Sequence, residues 1–181
     1  MNIQKASSNN IIIKPLRKCV LRCDPYLRKL SGGTYGYTRS DKNGRKFHGG
    51  VDLYAEPGTE TYALYKGSVE WTLDFGEKGW GKCVLAKVTL PERTCWTLYA
   101  HLSEIFVKKG SPLEAGTLIG LTGISGNGDS RYPHLHLEAW NSLSAGKKGT
   151  EGKYRFDPLE LLGFLPYQPF ALEVLDRQRQ R

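Results

Sequence analysis

Only four histidines occur in the 181 residues of this chain: His48, His101, His134 and His136. Imidazole binds transition metals and moves protons near neutral pH, so the placement of these four decides what chemistry is open. His48 begins the segment His48-Gly-Gly-Val-Asp52. Two glycines in the spacer argue against a helix, which would put the end residues on one face. A turn running into a strand over Val51–Tyr54 is expected instead. Such a turn folds the imidazole back beside the carboxylate, offering one nitrogen and one oxygen to a single cation. Taken alone, the segment equally describes a surface histidine near an unrelated aspartate.

His134-Leu-His136 heads a strand candidate that continues through Leu137, Glu138, Ala139 and Trp140. Alternation along a strand places His134 and His136 on one face, roughly 6–7 Å apart. One can bind a metal while the other faces the reacting group. Glu138 shares that face and can orient His136 or form an ordinary salt bridge. His101 lies in Tyr-Ala-His101-Leu-Ser, at the expected end of a strand, where a core or edge histidine is the plainer reading. Together, His48, Asp52 and one histidine of the His134/His136 pair form a set of three ligands that leaves a fourth position open, as in catalytic rather than structural zinc sites. Two histidines then remain for protons and oxyanion charge. The helical motif of two histidines flanking a glutamate is absent, so strands must build the site.

The elements that must position these residues read as strands. Val51–Tyr54, Thr61–Leu64, Ser68–Leu73, Lys82–Leu90, Thr94–His101, Thr117–Thr122 and His134–Trp140 carry β-branched or aromatic residues bounded by turn formers. Helix is expected only over Pro158–Phe164, capped by Asp157 with proline at the first position, and over Ala171–Arg179. The fold class is therefore all-β, an antiparallel sheet core with a short C-terminal helix. The length suits one domain: an N-terminal arm over 1–30, with Ile11–Leu16 as an edge strand, a main unit over 31–165 and a tail over 166–181.

These segments resemble the M23 family of zinc metallopeptidases, the lysostaphin-type endopeptidases. Beyond the histidine segments, the resemblance is carried by Pro57-Gly-Thr59 with Tyr62-Ala63 and Gly67-Ser-Val69. It continues through Val107–Gly110, Gly116-Thr-Leu-Ile-Gly120 and Phe156-Asp-Pro158. It runs from about Gly33 to Leu165. The resemblance implies one zinc ion held by His48, Asp52 and His136, with His101 and His134 as catalytic histidines. It also implies an open substrate groove on the sheet, and hydrolysis of the peptide cross-links of bacterial peptidoglycan, either a D-alanyl bond or a glycine bridge. Two stretches depart from the family pattern, a longer glycine-rich loop over Ser125–Pro133 and the segment Tyr35–Lys46. Both would flank the groove and bear on substrate preference. The alternative is a non-catalytic, wall-binding or amidase-activating module of the same fold, which would be expected to have lost ligands that are intact here.

Composition narrows the setting. The formal net charge of +8 suits any polyanion, but no aromatic-studded basic face or nucleic-acid motif is present, so no nucleic-acid partner is expected. No apolar run of ~18 residues provides a transmembrane segment. Cys19 and Cys23 lack a matching pair for a zinc knuckle. Strand pairing near Pro91–Arg93 leaves Cys83 about 20 Å from Cys95, so single buried thiols are expected. Ile11–Ile13 is too short for a signal-peptide core. The expected site of action is the periplasm or the extracellular wall, reached by a non-classical route or after removal of a leader. A secreted antibacterial effector, with an immunity protein and secretion machinery as partners, fits that picture.

Overall fold

A computed structural model describes residues 13–22, 30–41, 44–147, 150 and 152–163. Most of the expected arm, Cys23 and the helix over Ala171–Arg179 lie outside the described residues.

Eleven strands occur among them. In chain order they are β1 (Gly36–Asp41), β2 (Gly44–His48), β3 (Gly50–Tyr54), β4 (Glu60–Tyr62), β5 (Gly67–Asp74) and β6 (Lys82–Thr89). They continue with β7 (Thr94–Ile105), β8 (Pro112–Leu113), β9 (Leu118–Thr122), β10 (His134–Trp140) and β11 (Arg155–Phe156). Every pairing is antiparallel. β1 and β2 form a separate hairpin, and the other nine strands form one sheet. The all-β architecture with an antiparallel sheet core expected from the sequence is the one found.

β10 is the strand that organises the site. β3 pairs with one of its edges and β7 with the other, and all seven of its residues are buried. Leu135 and Leu137 point into the main core, where they meet Val51, Leu53, Tyr99 and Leu102. Burying each such side chain contributes roughly 1.5–3 kcal/mol. The opposite face carries His134, His136 and Glu138, and a buried polar row of this kind must find partners. Gly50 lets β3 approach: a Cβ there would lie 2.2 Å from the Leu137 carbonyl oxygen.

β7 does not stop at His101. It continues to Ile105 because Leu102 and Ile105 pair onward with Thr122 and Gly120 of β9. The change of partner requires a bend, and His101 takes it at φ +63°, in the left-handed region. The segment before β1 is also built in. Leu16 and Leu21 are buried in the main core, and Leu21 bridges to Leu53 of β3.

The hairpin β1–β2 is not among the strands expected from the sequence. Its residues show little alternation, since most of its positions face solvent at least partly. The sequence signal for it is Asn43-Gly44, a dipeptide favoured in tight hairpins. The helix is shorter than expected, α1 (Leu159–Leu162), with Asp157 Oδ1 accepting from the Leu159 amide at 2.9 Å and Gly163 closing it at φ 64°. Cys19, Cys83 and Cys95 are free and buried, and burial pushes the Cys83 thiol up to about 12.

Candidate metal centre

The antiparallel register of β3 and β10 sets Asp52 directly opposite His136. His48 ends β2 and is separated from β3 only by Gly49, so the chain turns its imidazole onto the same spot. Asp52 Oδ1 lies 2.8 Å from His136 Nδ1 and 3.1 Å from His48 Nε2. The two ring nitrogens are 3.1 Å apart. Three ligands of a tetrahedral zinc at about 2.0–2.2 Å stand about 3.3 Å from one another, so the donor set and its spacing both fit that ion. His48, Asp52 and His136 are also the group of metal-ligating side chains that converges among the described residues.

Hydrogen bonds fix which nitrogen each ring presents. A carbonyl only accepts, so His48 Nδ1–H donates to Thr34 O at 2.7 Å and leaves Nε2 for the centre. His136 is turned the other way, with Nε2–H donating to Glu138 Oε1 at 3.0 Å and Nδ1 facing Asp52. Glu138 is itself saturated. Trp80 Nε1 donates to Oε1 at 3.0 Å, while Trp140 Nε1 and Arg155 Nε donate to Oε2 at 2.6 and 2.7 Å.

The titration behaviour follows from this packing. Burial alone would raise Glu138, yet its bonds to His136 and Arg155 hold it at about 2. Burial likewise opposes the charge on Asp52, but His48, His134 and His136 hold it well below the usual carboxylate range. Burial would lower His136, and the hydrogen bonds to Asp52 and Glu138 instead raise it to about 9. The proton these two carboxylates stabilise is held at His136, whose Nδ1 faces Asp52 at the point where the three ligand atoms converge.

His101 and His134 flank the three. Their Nδ1–H groups donate to Ser125 O and Tyr132 O, each at 2.9 Å. Both rings therefore turn Nε2 away from the backbone, and His134 Nε2 stands 3.6 Å from Asp52 Oδ1. The ring centroids of His101 and His134 are 5.1 Å apart. Burial lowers both, and His101, also disfavoured by charge on His136 and His134, falls to about 3. A non-glycine residue held at positive φ stores strain that surrounding structure must overcome, as active-site residues often do.

Sequence reasoning missed several neighbours. Arg22 and Arg39 both donate to Asp52 Oδ2, and Trp80 braces Glu138. None has a spacing signal, because each reaches the site only through tertiary pairing. The centre lies in a cleft of about 540 Å³, whose lining also includes Arg39, Ser40, Lys46, Gly79, Trp80 and Asn127.

The sequence profile of peptidase family M23 matches residues 46–151, which include all four histidines and Asp52. The chain belongs to peptidase family M23. One relative, the peptidoglycan DD-endopeptidase ShyA of Vibrio cholerae, is 36% identical over 91 residues, half of this chain. That stretch spans 20% of the relative's own length. The catalytic domain of lysostaphin from Staphylococcus simulans superposes with a TM-score of 0.57 at 27% identity, covering 73% of this chain and 90% of that one. The catalytic domain of the prophage-encoded M23 protein EnpA from Enterococcus faecalis, in a mutant form, gives 0.54 at 31% identity, covering 69% and 85%. A zinc-containing peptidase from Vibrio cholerae gives 0.52 at 27%, covering 70% and 37%.

Proposed function

We propose that this M23 chain is a zinc-dependent endopeptidase that hydrolyses peptide cross-links of bacterial peptidoglycan. In this reading His48, Asp52 and His136 hold the metal and His101 and His134 are the catalytic histidines, within a peptidase unit over 31–165. The observation that carries it is the convergence of three ligand atoms about 3 Å apart with two neutral imidazoles beside them. The chemistry zinc supplies when bound there is activation of water, whose pKa falls to ~7 on such a site.

What the side chains do follows from their tautomers. With Nδ1–H committed to backbone carbonyls, His101 and His134 each present an unprotonated Nε2 at pH 7. Either can take a proton from the attacking water and return it to the leaving amine, and the imidazolium so formed stabilises oxyanion charge. In this reading the peptide substrate binds in the cleft that His101 and His134 line. The names of its relatives, a peptidoglycan DD-endopeptidase and an antimicrobial peptidase, support this substrate class.

Its place of action is then the periplasm or the extracellular wall. We further propose use as an antibacterial effector, with an immunity protein and secretion machinery as partners. The free buried thiols of Cys19, Cys83 and Cys95 are compatible with synthesis in a reducing compartment. The deciding experiment incubates the zinc-loaded chain with purified peptidoglycan and follows new amino termini by mass spectrometry. Release of cross-link cleavage products, abolished in His136→Ala, is the expected result. Intact cross-links at full zinc occupancy would overturn the reading. Expression in a bacterium with and without a periplasmic leader tests the setting: lysis is expected only with the leader.

A further inference from the structure

Only one oxygen of Asp52 faces the centre. The other, Oδ2, accepts from Arg22 Nη1 at 3.2 Å and from Arg39 Nη2. Both arginines precede residue 46, where the family match begins. Arg22 arrives on a segment joined to β3: its amide donates to Asp52 O at 2.8 Å, and the Tyr54 amide donates to Val20 O at 2.8 Å. The backbone register that fixes Asp52 therefore fixes Arg22 as well.

The Arg22 side chain is 12% exposed, and its Nε is buried without a hydrogen-bond partner among the described residues. Burying a guanidinium with one nitrogen unsatisfied is costly, and an apolar residue of similar size would avoid that cost. What offsets it is what the fork holds. Arg22 Nη2 donates to Asp129 Oδ2 at 3.0 Å, and the guanidinium lies over the Tyr132 ring at 5.5 Å. Asp129 opens a turn closed by the Tyr132 amide, which donates to Asp129 O at 3.1 Å. Tyr132 O in turn accepts from His134 Nδ1. One side chain thus grips the outer oxygen of Asp52 and the turn that aims His134.

We infer that Arg22 is a positioning residue that restricts Asp52 to binding metal through Oδ1 and couples it to the His134 turn through Asp129. The segment before the family match is then a working part of the centre. The inference rests on the zinc-endopeptidase reading, but its main test reads metal binding and not cleavage.

Zinc affinity is measured for wild type, Arg22→Met, Arg22→Lys and Asp129→Asn by competition with a chromophoric chelator. It is paired with the visible spectrum of the cobalt-substituted protein and with kcat and KM. Arg22→Met should weaken zinc by about 10–100-fold, the usual effect of losing a partner of a ligand, and should shift the cobalt bands. Lysine should restore only part of the affinity, since one ammonium cannot replace a fork that spans two carboxylates. Asp129→Asn should keep wild-type zinc affinity and lower kcat with KM unmoved. A folded Arg22→Met with wild-type affinity and spectrum overturns the inference. If that variant does not fold, a wild-type kcat in Asp129→Asn overturns it. A wild-type chain that takes no zinc brings down the endopeptidase reading and this one together. Zinc binding without cleavage brings down only the former, and affinity and spectra still decide the latter.

Discussion

His136 Nε2 and Glu138 Oε1 stand 3.0 Å apart on one face of one strand, an imidazole held by the carboxylate two residues further on. Glu138→Gln keeps the shape and removes the charge. The amide can no longer hold His136 as a proton donor to an anion, and it leaves Arg155, only 10% exposed, beside a neutral group. Zinc affinity should fall by about 10–100-fold, measured by chelator competition. Unchanged affinity would show that His136 needs no such support.

Metal uptake should release protons. His136 in the metal-free protein holds its proton up to about 9, and the ligand nitrogen must lose it to bind. Apparent zinc affinity should therefore climb between pH 6.5 and about 9, with close to one proton released per zinc at pH 7.5. Calorimetry in buffers of different ionisation enthalpy counts that proton.

The same group sets how the metal-free fold responds to pH. His136 is raised above its unfolded value of 6.5, so its contribution is fully present below pH 6.5 and is lost as pH rises through about 9. Thermal unfolding of the metal-free chain should fall over that interval. The zinc-loaded chain, in which the proton is already gone, should not show this fall.

His101→Ala and His134→Ala should retain stoichiometric zinc and lose about 10²–10⁴-fold in turnover, the usual contribution of general acid–base groups. His101→Gly should be equally inactive but fold more stably than His101→Ala. Glycine adopts φ +63° without the penalty of about 1 kcal/mol that a Cβ brings there. Thermal melts of the two metal-free variants make the comparison.

Gly50→Ala tests how closely β3 must sit. The added methyl meets the Leu137 carbonyl oxygen at 2.2 Å, so β3 must move and carry Asp52 with it. We expect about 1–3 kcal/mol of lost stability, seen in denaturant unfolding, together with weaker zinc binding.

Much of this centre is legible in the sequence because its signals are local. The two glycines between His48 and Asp52, and the alternation of His134 with His136, report on neighbouring residues. What joins them is the register of β3 against β10, and pairing across so long a stretch of chain leaves no mark in the spacing. The roles open to Arg22, Arg39 and Trp80 are illegible for the same reason. In sequence, His101 reads as the end of a strand that precedes a turn. The strand in fact continues, since β9 supplies a second set of partners. The β1–β2 hairpin escapes because a strand with little burial shows no alternation.

β10 is hydrogen-bonded along both edges, which gives its polar face no free side from which to fray. His136 is paired on both sides, with Asp52 and with Ala100, so a local opening that displaces it must break two ladders at once and approaches the cost of unfolding the sheet. Heat inactivation and loss of the fold should then be a single event, with no intermediate that keeps its architecture but has mislaid its reaction geometry.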